Sequence, residues 1–240
     1  MDRQIALDIL LKYKQEQSYL NLTLNTYFQN QSLLKEQKDL ITNIVYGTVQ
    51  NQLYLEYMLE PFLHTRVKTY EKMLLLMSLY QHYFLNSIPD YAIVNEAVNM
   101  AKKKKGKKTA DFINAVLKQA FLSQRSLDEL NIEEKLSIET SHPLWMIKMF
   151  IKQYGLDVTR KICEADNKAP YKTARVNTLK TTKDILLNDS LFEVGKLGFN
   201  CLYYHGGNLA NTSYFHDGLI TIQDESSQLV AEFLNPLPHD

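Results

Sequence analysis

The chain has 240 residues, 45% hydrophobic and 22% charged, and its 27 Lys and Arg balance its 27 Asp and Glu to a formal net charge of zero. That composition excludes wholesale disorder and a uniformly basic nucleic-acid binder, and the longest apolar run, residues 73–77, is far short of the ~20 residues that a membrane span needs. The zero is an average over three unequal parts: residues 1–100 carry 8 basic and 10 acidic side chains, residues 101–180 carry 17 and 9, and residues 181–240 carry 2 and 8. A dipolar chain therefore remains open, basic in the middle and acidic at the end.

Up to about residue 125 only Gly47, Gly106, Pro61 and Pro89 interrupt the chain, a scarcity of breakers that favours helices. Apolar residues recur there at helical spacing. The first row is Ile5, Ile9 and Tyr13 beside Ala6 and Leu10, and the next is Leu40, Ile41, Ile44, Val45, Val49 and Leu53. A third, Met73, Leu76, Met77, Tyr80 and Phe84, is ended by Pro89. Ala92, Ile93, Ala97, Val98 and Ala101 form a fourth, and Phe112, Ile113, Val116, Leu117, Ala120 and Phe121 a fifth. Residues 1–125 thus predict a bundle of five or more helices. Between the last two rows, Lys102, Lys103, Lys104, Lys105, Gly106, Lys107 and Lys108 predict a loop, by the glycine and by mutual repulsion.

Residues 126–165 read as a helical connecting segment. Its polar start, 126–142, is a linker or a short bridging helix. Ser141-His142-Pro143 then resembles a helix start, with Ser141 or His142 near the cap and Pro143 in the first turn. That helix would bury Leu144, Ile147 and Ile151 and stop before Gly155, and a second would come next over 156–165.

After Pro170 the period changes: Ala174, Val176 and Thr178 alternate with Arg175 and Asn177, as in a half-exposed strand. Further strands are expected over 200–204 and 219–222. A closing helix over 225–234 would be capped by Asp224 or Ser226 and would bury Leu229, Val230 and Phe233. Five of the eight glycines lie after residue 194, so residues 166–240 predict a small α+β region. Past residue 216 there is room for one strand and one helix only, and no G-x-G-x-x-G or Walker loop occurs.

Six lysines in seven positions beside a bundle could contact phosphates without reading bases, or could simply be solvated. Arg175 and Asn177, two apart on one strand face, could hold a ribose–phosphate or a base edge; a plain exposed strand face is the competing reading. Tyr80, Tyr83 and Tyr91 fall within helical apolar patterns and are expected in or near the core. The six histidines show no metal-binding spacing, so no metal is expected. Cys163 and Cys201 form no C-x-x-C motif, fit a reducing compartment and are expected as small buried hydrophobes. The amino terminus lacks a secretory signal pattern, and a cytoplasmic protein is expected.

Three runs, Tyr46-Gly47-Thr48, residues 87–98 and residues 112–117, together resemble the NusB-like helical RNA-binding domain. Ser141-His142-Pro143, Arg175-Val176-Asn177 and residues 222–228 resemble the region C-terminal to that domain in the Sun/RsmB ribosomal RNA 5-methylcytosine methyltransferases. The resemblance implies a NusB-like bundle, a connecting and ferredoxin-like region that need not be complete, and the threshold of an S-adenosylmethionine-dependent catalytic domain. It also implies small-subunit ribosomal RNA as partner, with Arg3, which matches the family's N-terminal arginine, either joining the lysines or serving only as a surface charge at a helix start, and Arg175 and Asn177 in substrate binding. In such enzymes a glycine-rich cofactor loop and two cysteines that carry the chemistry come later in the chain. No catalytic or cofactor-binding residue is therefore expected in these 240 residues, no bound cofactor, and no activity from this chain alone. The alternatives are a stand-alone NusB-type RNA- or transcription-factor-binding module and, more distantly, a protein-interaction scaffold.

Overall fold

The computed structural model describes residues 2–16 and 19–234. The apolar rows of the first half become helices: α1 (Asp2–Glu16), α2 (Leu20–Gln29), α3 (Lys35–Gln50), α4 (Gln52–Leu59), α5 (Thr69–Phe84), α6 (Asp90–Lys105) and α7 (Lys107–Leu122). α5 is the central one. Leu74, Leu75, Leu76, Met77 and Leu79 are all buried, so the middle of the helix is covered on every side, and it packs against α1, α3, α4, α6 and α7. Gly47 in α3 permits one of these contacts: a Cβ there would lie 1.9 Å from the Tyr80 ring. The short α2, with Thr23 and Leu24 buried, has no counterpart among the expected rows.

The chain divides into two units after Asn167. The segment read as a connector groups with the bundle and forms α8 (Ile132–Thr140), α9 (Leu144–Tyr154) and α10 (Leu156–Asp166). Its first helix starts on a capping box, the Asn131 side chain accepting from the Glu133 and Glu134 amides while Glu134 reaches back to the Asn131 amide. Ser141 departs from expectation. It closes α8 in the left-handed conformation, φ 55° and ψ 34°, and its hydroxyl accepts the Tyr54 amide at 3.1 Å; Pro143 is the residue that caps α9. α9 fully buries Ile147 alone.

In the second unit the strands are β1 (Thr173–Val176), β2 (Phe192–Val194), β3 (Cys201–Tyr204) and β4 (Ile220–Ile222), in antiparallel order β2-β3-β1-β4. The short helices α11 (Lys183–Leu186) and α12 (Ser213–His216) and the longer α13 (Glu225–Leu234) complete it. The fold is thus a mainly α bundle followed by a small α+β region. Ala174, Val176, Leu202, Tyr204 and Ile220 pack with Leu186, Phe192 and Leu209 on one side of the sheet. α13 reverses the expectation made of it: Glu225 and Gln228 are buried, whereas Val230 is 60% and Phe233 85% exposed. The physical reason lies in what the helix meets, a sheet face carrying the Tyr203 hydroxyl and Cys201, which suits a carboxylate better than a phenyl ring.

Candidate nucleic-acid interface

The lysine run is helix rather than loop. Lys102–Lys105 form the last turn of α6, Gly106 alone breaks the helix with φ 87°, and Lys107 and Lys108 open α7. Cations in a last turn face unsatisfied carbonyls and are favoured there, which offsets their mutual repulsion at an exposed end. Successive helical residues point about 100° apart, so the lysines fan out around the tip of the α6–α7 hairpin. Lys103 borders a groove with Gln4, Ile5 and Glu96; Lys108 borders another with Arg66 and Lys68; the Lys105 ammonium sits 5.7 Å from the centre of the Tyr70 ring. All six lysines are exposed, and none forms an ion pair among the described residues. Arg66 and Lys68 join this end from the segment before α5. No spacing in the sequence marks them, because the packing of α5 beside α7 brings them there.

Arg3 is held by α5: its Nε donates to Gln81 Oε1 at 2.6 Å. The residues after it, Gln4 and Ile5, line the groove that Lys103 also borders.

Arg175 is exposed on the central strand β1, between Cys201 of β3 and Thr221 of β4. Asn177 falls just past that strand and anchors a turn. Its amide donates to the Gly218 carbonyl at 2.8 Å, and its oxygen accepts the Leu179 amide at 3.2 Å. Among the described residues Arg175 forms no ion pair, and the Asn177 side chain is engaged in its turn.

The carboxylates that open α13 are already engaged. Asp224 accepts from the Ser226 amide at 2.9 Å, so Asp224 is the cap. Glu225 accepts from the Leu197 amide at 2.6 Å and the Gly198 amide at 3.1 Å through one oxygen, and from the Tyr203 hydroxyl at 2.6 Å through the other. Burial pushes the Glu225 carboxyl up, but those hydrogen bonds outweigh it and hold the group below its ordinary value. The Tyr203 hydroxyl is pushed up to about 12 by burial and by this hydrogen bond. Gly195 completes the cluster: a Cβ there would stand 2.7 Å from Cys201.

Both cysteines are buried, as expected of them. Burial, with the Glu225 charge beside it, pushes the Cys201 thiol up to about 11, and burial raises Cys163 as well. A thiol so raised holds almost no thiolate at neutral pH and is a poor nucleophile. The described residues do not fit S-adenosylmethionine either, since the sheet is antiparallel throughout and the acidic groups before and within α13 are spent on the fold. No group of His, Cys, Asp and Glu among the described residues is placed to hold a metal ion. No described helix is long and apolar enough to cross a membrane.

Comparison with known proteins gives each part a relative. The NusB family model matches residues 1–121, half of the chain. The chain belongs to the NusB family. Its NusB domain is α1–α7, and residues 142–190 match the ferredoxin-like domain of the RsmF/B-like methyltransferases, the order that the Sun/RsmB resemblance calls for. The chain is 38% identical over 245 residues to the probable ribosomal RNA small subunit methyltransferase B of Bacillus subtilis (strain 168), covering 98% of this chain and 54% of that protein. It is 26% identical over 250 residues to the protein of that name from Synechocystis sp., covering 99% and 56%. With the ribosomal RNA small subunit methyltransferase B of Pseudomonas putida it shares 30% over 213 residues, covering 84% and 48%. The crystal structure of PH0851 shares the fold, with a TM-score of 0.71 at 17% identity over 99% of this chain and 56% of that one. The chain spans about half the length of the curated relatives it matches.

Proposed function

We propose that this chain is the N-terminal, RNA-docking part of an S-adenosylmethionine-dependent methyltransferase that modifies carbon 5 of a cytosine in small-subunit ribosomal RNA in the cytoplasm. One observation carries the reading: a NusB domain followed by an RsmF/B-type ferredoxin-like domain, in that order, along a chain similar to small-subunit methyltransferases over nearly its whole length. The lysines at the tip of the α6–α7 hairpin, with Arg66 and Lys68, give it a phosphate-binding end. Arg175 supplies a separate exposed cation on the second unit.

Methyl transfer belongs to the other half of the relatives' length. The two thiols here are buried and raised, so no step of the chemistry is assigned to these residues. The role left to the chain is to hold the RNA so that the reacting base is presented in one geometry, which can be worth several orders of magnitude in rate. The exposed Val230 and Phe233 of α13 support this division of labour, as an apolar face available to further protein. Bisulfite sequencing of small-subunit ribosomal RNA after disruption of the gene tests the reading. Loss of one 5-methylcytosine is expected, and an unchanged pattern would overturn it. The 240-residue chain alone is expected to transfer no methyl group from radiolabelled S-adenosylmethionine to RNA, and detectable transfer would refute its docking-only role.

A further inference from the structure

The α6–α7 hairpin carries a second feature besides its lysine tip. Tyr91 and Asn95 are four residues apart on α6, and Asn114, Lys118 and Leu122 are spaced four apart on α7, so each set lies along one face of its helix. The two faces border one groove of about 560 Å3, walled also by Phe121. Its lips are large apolar side chains held in solvent. Tyr91 is 78% and Leu122 89% exposed, against the near-core position that the apolar pattern predicts for Tyr91. Asp90, at one end, is turned to His82 at 2.7 Å, and His82 stacks on Phe121 with ring centres 4.0 Å apart. The Lys118 ammonium forms no ion pair among the described residues.

A groove with an exposed aromatic ring, apolar walls, two amides and a free cation suits a planar group that bears hydrogen-bonding edges and a phosphate. That describes an unstacked nucleobase: rings stack on any base, amides read a base edge, and lysine takes the backbone. The charge pattern points the same way. The stripe Tyr91, Asn95, Val98 on α6 continues at helical spacing to Lys102, and the stripe on α7 runs back from Asn114 to Lys107, with Asp111 the one carboxylate between. The groove and the lysine tip are thus on one continuous surface, about 16 Å apart along α6.

We propose that the α6–α7 groove holds one unstacked base of single-stranded RNA, with Tyr91 against the base, Asn95 and Asn114 on its edge and Lys118 on the adjoining phosphate. This rests on the RNA-docking reading above and names where that RNA leaves the lysine tip.

The test uses the whole chain and a short fluorescein-labelled single-stranded RNA of mixed sequence, with affinity read by anisotropy over a salt series. Tyr91→Ala should bind roughly tenfold more weakly, as expected for one lost base–aromatic stack, with its salt slope unchanged. Tyr91→Phe, which keeps the ring, should stay close to wild type. Lys118→Ala should flatten the slope by about 0.7, the share of one phosphate. A 2-aminopurine placed in the RNA should be quenched on binding to wild type and not to Tyr91→Ala. Tyr91 is outside the core, so unchanged circular dichroism and melting confirm that the variants fold. If Tyr91→Ala and Lys118→Ala bind like wild type while the lysine-tip variants weaken, the groove proposal fails and the docking reading stands. If wild type binds no RNA, both fail. If an apolar helical peptide occupies the groove and RNA does not compete with it, the groove belongs to a protein partner and the proposal is overturned.

Discussion

Replacing Lys102, Lys103 and Lys104 with alanine tests whether the hairpin tip is a phosphate contact surface or a solvated helix end. The lysines fan around the tip, so one RNA strand cannot touch all six, and four is a reasonable number of contacts. For single-stranded RNA, four contacts give a slope of log K against log salt of about −2.8, which is a fall of about 50-fold between 50 and 200 mM salt. Removing three leaves a slope of about −0.7 and a fall of about threefold over the same range. The fold should barely notice. These side chains are exposed and outside the ion pairs of the described residues, and surface changes of this kind usually stay within about 0.5 kcal/mol. Each lost helix-end interaction, about 0.3–1 kcal/mol, is offset by relief of lysine–lysine repulsion. Anisotropy titrations at several salt concentrations give the slopes, and a thermal melt gives the stability. A folded triple variant with the wild-type slope, or a wild type whose affinity is flat with salt, would refute the reasoning.

The geometry fixes four further outcomes. Gly47→Ala drives a methyl group into the Tyr80 ring, so a loss of about 1–3 kcal/mol from overpacking is expected, and a melting temperature equal to wild type would contradict it. The Glu225 carboxyl has a folded value below its unfolded one, so its contribution is complete above the ordinary glutamate range and is lost as pH falls through the folded value. Protection of the Leu197 and Gly198 amides, taken as exchange relative to the intrinsic rate at each pH, should therefore fall on acidification in wild type. In Glu225→Gln, which cannot titrate there, the protection should lack that acid-dependent step. Both thiols should resist a disulfide reagent in the native state at neutral pH and react on unfolding in guanidinium, since both are buried and raised; fast native labelling would overturn that account. Asn177→Ala should cost about 1 kcal/mol through its two turn hydrogen bonds and leave RNA affinity alone, whereas Arg175→Ala should weaken RNA binding without lowering the melting temperature.

Much of the bundle was legible because burial on a helix imprints a period: every apolar row in the first half lies on helices, and Pro89 ends its row just before α6 begins. The departures share one cause. A one-dimensional pattern records which residues are apolar or charged and leaves out what they will face. Four consecutive lysines suggest a loop if only their repulsion is counted, yet the carbonyl end of α6 and the permissive Gly106 hold them in helix. Asn177 matches the position of a strand-face ligand, but β1 ends one residue earlier and Gly218 takes its amide. Arg66 and Lys68 carry no motif at all, and only packing brings them beside Lys108.

α13 takes this furthest. Its period correctly separates an apolar face from a polar one, and the natural inference is that the apolar face is buried. In this unit the polar face is buried, since Glu225 satisfies the Leu197 and Gly198 amides and the Tyr203 hydroxyl that would otherwise lie unpaired beneath the helix. An unsatisfied buried donor costs about 1–3 kcal/mol, so the costs of leaving the buried Gly198 amide and Tyr203 hydroxyl unpaired, with the part-buried Leu197 amide, are of the same size as what burying Val230 and Phe233 on the same sheet would return, about 1.5–3 kcal/mol each at best. Those side chains are left outward for whatever else packs there. Amphipathic spacing therefore identifies two faces, and the donors of the neighbouring segment count as much as apolar area in which of them turns inward.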